Sequence, residues 1–193
     1  MISSACPTVV EYIKEYRSQY TPYLTPLFSP LLAHGTLLKK HYGSGIAVAF
    51  IGPCISKKKE SDDNPNLVHV SISFSLLRQW FKEEGIDLAQ LEPGEEDVFV
   101  PQIAAQGALY PMDGGMVAGI TSRGTPDDAG FMSFSGIEEI DGILDELETL
   151  KPQSPLFLEL LACRGGCING PVMENKASTA LKRFHLIQNT RYE

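Results

Sequence analysis

Three observations predict an α/β domain, a mostly parallel sheet flanked by helices. Strand-sized apolar runs occur at Ile46 to Ile51, Val68 to Ile72 and Leu156 to Ala162. Segments with helical spacing of apolar residues alternate with them, the pattern that parallel sheets need for their crossovers. Two of the runs end on turns built from Gly, Pro and Cys, where open α/β sheets place their ligands. At 193 residues, with 43% hydrophobic and 21% charged side chains, residues 1–193 suffice for one domain around its own core or for half of a larger two-lobed one.

The first helix is predicted over residues 7–20, because Val9, Ile13, Tyr16 and Tyr20 share a helical face and Pro7 suits a first turn. Ser29-Pro30 reads as cap and first turn of a second helix reaching Tyr42, ended by Gly43 and Gly45. After the strand at 46–51 and the next at 68–72, Ser73 caps a helix carrying Leu76, Leu77, Trp80 and Phe81, closed by Gly85. Residues 87–97 are acidic and turn-rich. Residues 98–134, with Gly114-Gly115, Gly124, Pro126 and Gly130, show no readable element. Ser135 and Glu138 form a capping-box pattern for a helix presenting Ile137, Ile140, Leu144 and Leu147 and reaching Leu150. A final helix is expected in the tail beyond Glu174, carrying Ala177, Ala180, Leu181 and Phe184.

Charge and hydropathy exclude several classes. A net charge of −8 argues against nucleic acid as a partner, and the basic run Lys57-Lys58-Lys59 is followed at once by Glu60, Asp62 and Asp63. No run approaches the roughly 18 apolar residues of a membrane span, and no basic-then-apolar signal opens the chain, so no membrane is expected and a cytoplasmic location is.

All four cysteines lie in or beside turns. Cys6 precedes Pro7, Cys54 follows Gly52-Pro53, and Cys163 and Cys167 flank Arg164-Gly165-Gly166. One free cysteine alone is a small buried hydrophobe. Four in such positions point to a metal, either a 4Fe-4S cluster or structural zinc. Paired CxxC knuckles are absent, which weakens both zinc and a ferredoxin module, and a reducing compartment disfavours disulfides. Gly165 and Gly166 would let the backbone approach a bulky inorganic core, with turn amides donating to its sulfurs. Lys57 adds a cation three residues from Cys54. The histidines, His34, His41, His69 and His185, lie away from these motifs, and Tyr20 to Tyr23 read as core or packing surface.

These motifs resemble, in order, the three signatures of the catalytic domain of iron-only (FeFe) hydrogenases: Ser3-Ser4-Ala5-Cys6-Pro7, then Gly52-Pro53-Cys54 with Lys57 and Glu60, then Glu159-Leu160-Leu161-Ala162-Cys163-Arg164-Gly165-Gly166-Cys167. The likeness implies that Cys6, Cys54, Cys163 and Cys167 ligate a 4Fe-4S cluster. It also implies that Cys167 bridges to a two-iron subcluster carrying CO and CN, and that Lys57 donates to a cyanide. Glu60 is otherwise an ion-pair partner for Lys58 or Lys59. By the same likeness the chain is one lobe of that catalytic domain, a C-terminal part without the upstream lobe. That lobe and ferredoxin-like electron-transfer modules would be its partners.

The departures shape the functional expectation. Ala5 stands where hydrogen-producing members carry a proton-relaying cysteine. Gly52 and Leu161 replace two methionines that pack around the two-iron centre, and Gly170-Pro171-Val172 replaces a glycine-rich end. The first reading is a hydrogen-sensing or slow hydrogenase-like domain, inactive as an isolated piece. The second is a protein similar to hydrogenase-like iron-sulfur assembly factors, without hydrogen chemistry. A third is a zinc-stabilised or metal-free α/β interaction domain, since a fold alone fixes no function.

Overall fold

Two parallel strand pairs organise the computed structural model, which describes residues 1–100, 104–125, 128–150 and 152–190. Strand β1 (Ala49–Gly52) pairs with β2 (Val70–Ser73), register Ala49 to Val70. Strand β3 (Gly130–Ser135) pairs with β4 (Leu156–Leu161), register Gly130 to Leu156. The predicted parallel α/β class is what the fold shows, divided between two pairs. Ile2 widens the second pair by bridging to both Leu158 and Leu24.

Helix α1 (Pro7–Tyr16) carries Val9 and Ile13 fully into the core. It ends before the predicted limit because Arg17 leaves the helical region, at φ −135° and ψ 45°. From there its guanidinium reaches Asp141 at 2.5 Å and Asp145 at 2.8 Å. Tyr20, in the tight 3₁₀ turn Ser18–Tyr23, donates its hydroxyl to the Leu144 carbonyl, so part of this tyrosine-rich stretch is core, as expected. Helix α2 (Pro30–Tyr42) has the predicted Ser29 cap, which accepts from Leu32 N–H, and stops at Gly43. Helix α3 (Ser56–Asp62) is an addition to the predicted elements. Helix α4 (Phe74–Glu83) is capped by Ser73, as predicted.

Residues 98–134, unreadable in sequence, contain a 3₁₀ turn at Ala105–Leu109, the short helix α5 (Gly115–Thr121) and β3. Pro126 lies outside the described residues. Helix α6 (Ile137–Leu150) follows, and α7 (Thr179–Asn189) is capped by Ser178. The capping box predicted at Ser135 and Glu138 does not form. Ser135 hydroxyl bonds to Asp113 and Gly165 instead, and Glu138 pairs with Arg164. His69 is structural, its Nδ1 accepting the Val48 N–H at 3.0 Å.

The largest core joins Ile2, Val9, Ile13, Ile140, Leu144, Leu158 and Leu160 across α1, α6 and β4. A separate core of Leu31, Leu32, Val48 and Val68 underlies β1 and β2. Truncating Leu160, which has no exposed surface, is expected to cost about 2–5 kcal/mol, whereas Leu181→Ala on exposed α7 should stay within about 0.5 kcal/mol. Urea unfolding of the two variants measures the difference.

Candidate metal centre

Each cysteine lies at an element end. Cys6 is the N-cap of α1 and is buried, though its thiol caps no amide. Cys54 falls between the end of β1 and the start of α3. Cys163 and Cys167 follow β4, with Cys167 opening a 3₁₀ turn, Cys167–Asn169. All four are free thiols.

The structure brings them into one neighbourhood. Burial pushes the Cys167 thiol up to about 12, the Cys6, Cys54 and Cys163 thiolates push it the same way, and Lys57 pulls it down. Cys163 is raised by burial first and then by Cys6 and Cys54. A side chain influences another in this way only from nearby, so three segments distant in sequence converge. Among the described residues no three His, Cys, Asp or Glu are grouped to hold one metal ion. A single zinc needs its sulfurs about 2.3 Å from the metal and so close to one another. In a 4Fe-4S cluster each of four thiolates binds a separate iron.

The third-motif loop owes its shape to close approach. Gly166 has φ +95°, and a Cβ there would stand 2.5 Å from the Pro111 carbonyl oxygen and 2.7 Å from the Asp113 nitrogen. Only glycine fits. Gly170 likewise packs directly on the Pro53 carbonyl, joining the third motif to the residue before Cys54.

Lys57 is nearly buried. Its ammonium donates to Glu60 at 2.7 Å and to the Ala5 carbonyl at 3.3 Å, with the Lys57 and Glu60 side chains only 12% and 13% exposed. Glu60 therefore partners Lys57, and the expectation that it serves Lys58 or Lys59 is corrected; Lys59 pairs with Asp63. Spacing explains the choice, since Lys57 shares with Glu60 the inner face of α3. Thr8 and Ser56 hydroxyls meet at 2.6 Å, a second tie between the first and second motifs.

Sequence reasoning missed several supporting residues. Asp113 accepts from the Ser133 and Ser135 hydroxyls, and Ser135 accepts the Gly165 N–H. The one available signal was the Gly114-Gly115 turn beside Asp113. Glu159, 1% exposed, accepts from the Met116 and Val117 amides that open α5; its burial raises the carboxyl above the ordinary range.

The parallel α/β scaffold thus brings together thiols from the start of α1, the turn between β1 and α3 and the loop after β4, with the Lys57 ammonium among them. The family model described as "Iron only hydrogenase large subunit, C-terminal domain" matches residues 1–171, and the chain belongs to that family. No curated protein matches it. Among solved structures, it is similar to a variant of [FeFe]-hydrogenase HydA1 from Chlamydomonas reinhardtii, with TM-score 0.73 and 20% identity over 100% of this chain and 67% of that one. An apo HydA1 variant from the same organism gives 0.72 and 20% over 100% and 66%. The HydA structure described as revealing stepwise H-cluster assembly gives 0.67 and 18% over 100% and 68%. The chain thus spans about two thirds of the length of these hydrogenases and shares their fold. Among the described residues no helix is long and apolar enough to cross a membrane.

The Cys167 environment makes a chemical prediction. Only the thiolate is nucleophilic, so in metal-free protein at pH 8 a thiol pushed up to about 12 is ionised in about one molecule in 10⁴. Its alkylation by iodoacetamide is expected to be slow from pH 7 to 9 and to rise about tenfold per pH unit up to about pH 11. Peptide mass spectrometry at Cys167 follows it directly.

Proposed function

We propose that the chain is an iron-sulfur-binding, hydrogenase-like domain that senses hydrogen or turns it over slowly. The observation carrying this reading is that the Lys57–Ala5, Thr8–Ser56 and Gly170–Pro53 contacts join the three turns bearing Cys6, Cys54, Cys163 and Cys167, with Lys57 close enough to act on Cys167. Cys6, Cys54, Cys163 and Cys167 would hold the 4Fe-4S cluster, with Cys167 also facing a two-iron subcluster. When bound, that group supplies the interconversion of hydrogen with protons and electrons.

The chain's own residues then have distinct tasks. The four thiols must lose their protons to ligate iron, so uptake releases protons to solvent. Lys57, anchored by Glu60 and the Ala5 carbonyl, keeps one further N–H available for an anionic ligand such as cyanide. The Lys57 contact puts residue 5 beside this cation, and a methyl group there can neither accept nor donate a proton. That is the support for slow turnover or sensing. Cytoplasmic location and partnership with a further hydrogenase lobe and ferredoxin-like modules belong to the same reading. The amphipathic helices α4 and α7, none of whose residues is buried, favour such partners.

Iron and acid-labile sulfide per chain after anaerobic reconstitution test the reading. About four of each, lost in Cys163→Ser, is the expected result. Little iron in the wild type would overturn it. In protein matured with the two-iron unit, infrared bands of CO and CN are expected, and Ala5→Cys should raise hydrogen turnover at least tenfold. A cluster without those bands after maturation would favour an assembly-factor role instead, and an unchanged rate in Ala5→Cys would refute the missing-relay explanation.

A further inference from the structure

The turn from Leu109 to Gly115 belongs to no cysteine motif, yet it backs the loop between Cys163 and Cys167. Asp113 N–H donates to the Gly165 carbonyl at 3.3 Å, Ile168 N–H donates to the Pro111 carbonyl at 3.0 Å, and Gly166 lies against Pro111 and Asp113. Arg183 on α7 donates to the Asp113 carbonyl at 3.3 Å and pins the turn from behind. The side chain of Asp113 reaches the loop by a second route. Ser133 donates to one carboxylate oxygen, and Ser135 donates to the other at 3.0 Å. With its single proton committed, the Ser135 oxygen accepts the Gly165 N–H at 2.9 Å.

This matters because the loop's own ties, among them Gly166 N–H to the Cys163 carbonyl at 2.9 Å and the Asn169 side chain to the Arg164 carbonyl at 2.8 Å, must hold two glycines. Gly165 and Gly166 both have positive φ, at +77° and +95°, and glycine loses the most backbone freedom on being fixed. External ties, with the packing of Ile168 on Leu109 and Met112, add to the selection of the conformation that presents both thiols. A hydrogen bond to a carboxylate is stronger than a neutral one and orients the hydroxyl between them.

We propose that Asp113 is a positioning residue for the cluster loop, its carboxylate acting through Ser135 on Gly165 to fix how Cys163 and Cys167 are presented to iron. This rests on the cluster-binding reading above. The Ser133 contact serves as an internal control, since it shares the carboxylate but not the path to Gly165.

The test uses the full chain reconstituted anaerobically with iron and sulfide, and follows loss of iron to a ferrous chelator together with the electron paramagnetic resonance line shape of the reduced cluster. Ser135→Ala and Asp113→Ala are each expected to release iron about tenfold faster and to broaden the signal, on the order of one charged hydrogen bond lost. Ser133→Ala should stay within about twofold of wild type, and the Asp113→Ala/Ser135→Ala double variant should be no worse than Ser135→Ala. Ser135→Thr, which keeps the hydroxyl, should restore slow release. Circular dichroism melting of each cluster-free variant separates these effects from misfolding, and Asp113→Ala carries the test if Ser135→Ala does not fold. Release equally fast in Ser133→Ala and Ser135→Ala, or additive losses in the double variant, would overturn the proposal while leaving cluster binding intact. A wild-type chain that takes up no iron would overturn both.

Discussion

Burial opposes ionisation of Cys167, and the thiolates of Cys6, Cys54 and Cys163 oppose it further. Cys163 is pushed up by burial and then by Cys6 and Cys54 in the same way, so the two thiols of the third motif are costly to ionise in the metal-free protein. Lys57 pulls the other way, and it is itself held by Glu60 and the Ala5 carbonyl. A group of metal ions would reverse the balance, because thiolates bound to iron no longer face one another as bare charges. The rigid delivery of the thiols follows from this. Each comes from the end of a helix or strand, and the loop between Cys163 and Cys167 is wedged against Pro111 and Asp113 so closely that only glycine fits at 166.

Much of this was legible where local chemistry and periodicity agreed. Ser29, Ser73 and the apolar face of α6 announced their helices, and parallel pairing followed from alternation of strands with helices. Helix α3 was hidden because Ser56-Lys57-Lys58-Lys59-Glu60-Ser61-Asp62 has no apolar face; its stability comes from Lys57 with Glu60 and from Ser61 bonded to Ser71. Helix α5, Gly115 to Thr121, contains two glycines and borrows its N-terminal acceptor from distant Glu159. Strand β3 is legible only once Leu156 to Leu161 is beside it. The capping box misled for a related reason, since Ser135 had a stronger use in holding Gly165 than in capping its own helix.

The candidate site divides in the same way. The cysteines and Lys57 were visible as motifs because ligands and cations are scarce and distinctive residue types. Thr8, Ser56, Asp113 and Ser133 were not, because a serine or aspartate near a turn is ordinary and its partner is fixed only in three dimensions. Glu60 shows the intermediate case. Its motif position was clear, but its partner among three consecutive lysines depended on which one faces inward along α3.

Two of the hydrophobic cores add a last step. The core beneath β1 and β2 is separate from the one that joins α1, α6 and β4, so the segment carrying Cys54 has its own support. Around the thiols, contacts that join this segment to the first and third motifs include the Thr8 hydroxyl on Ser56, Lys57 on Ala5 and Gly170 on Pro53. These are polar or close-packed contacts of modest individual worth, about 1 kcal/mol for a neutral hydrogen bond. A cluster ligated by Cys54 together with Cys6, Cys163 and Cys167 would span that seam with four metal-sulfur bonds. Binding it would then contribute to holding the two cores in register, so that cofactor uptake and tertiary stability are one equilibrium.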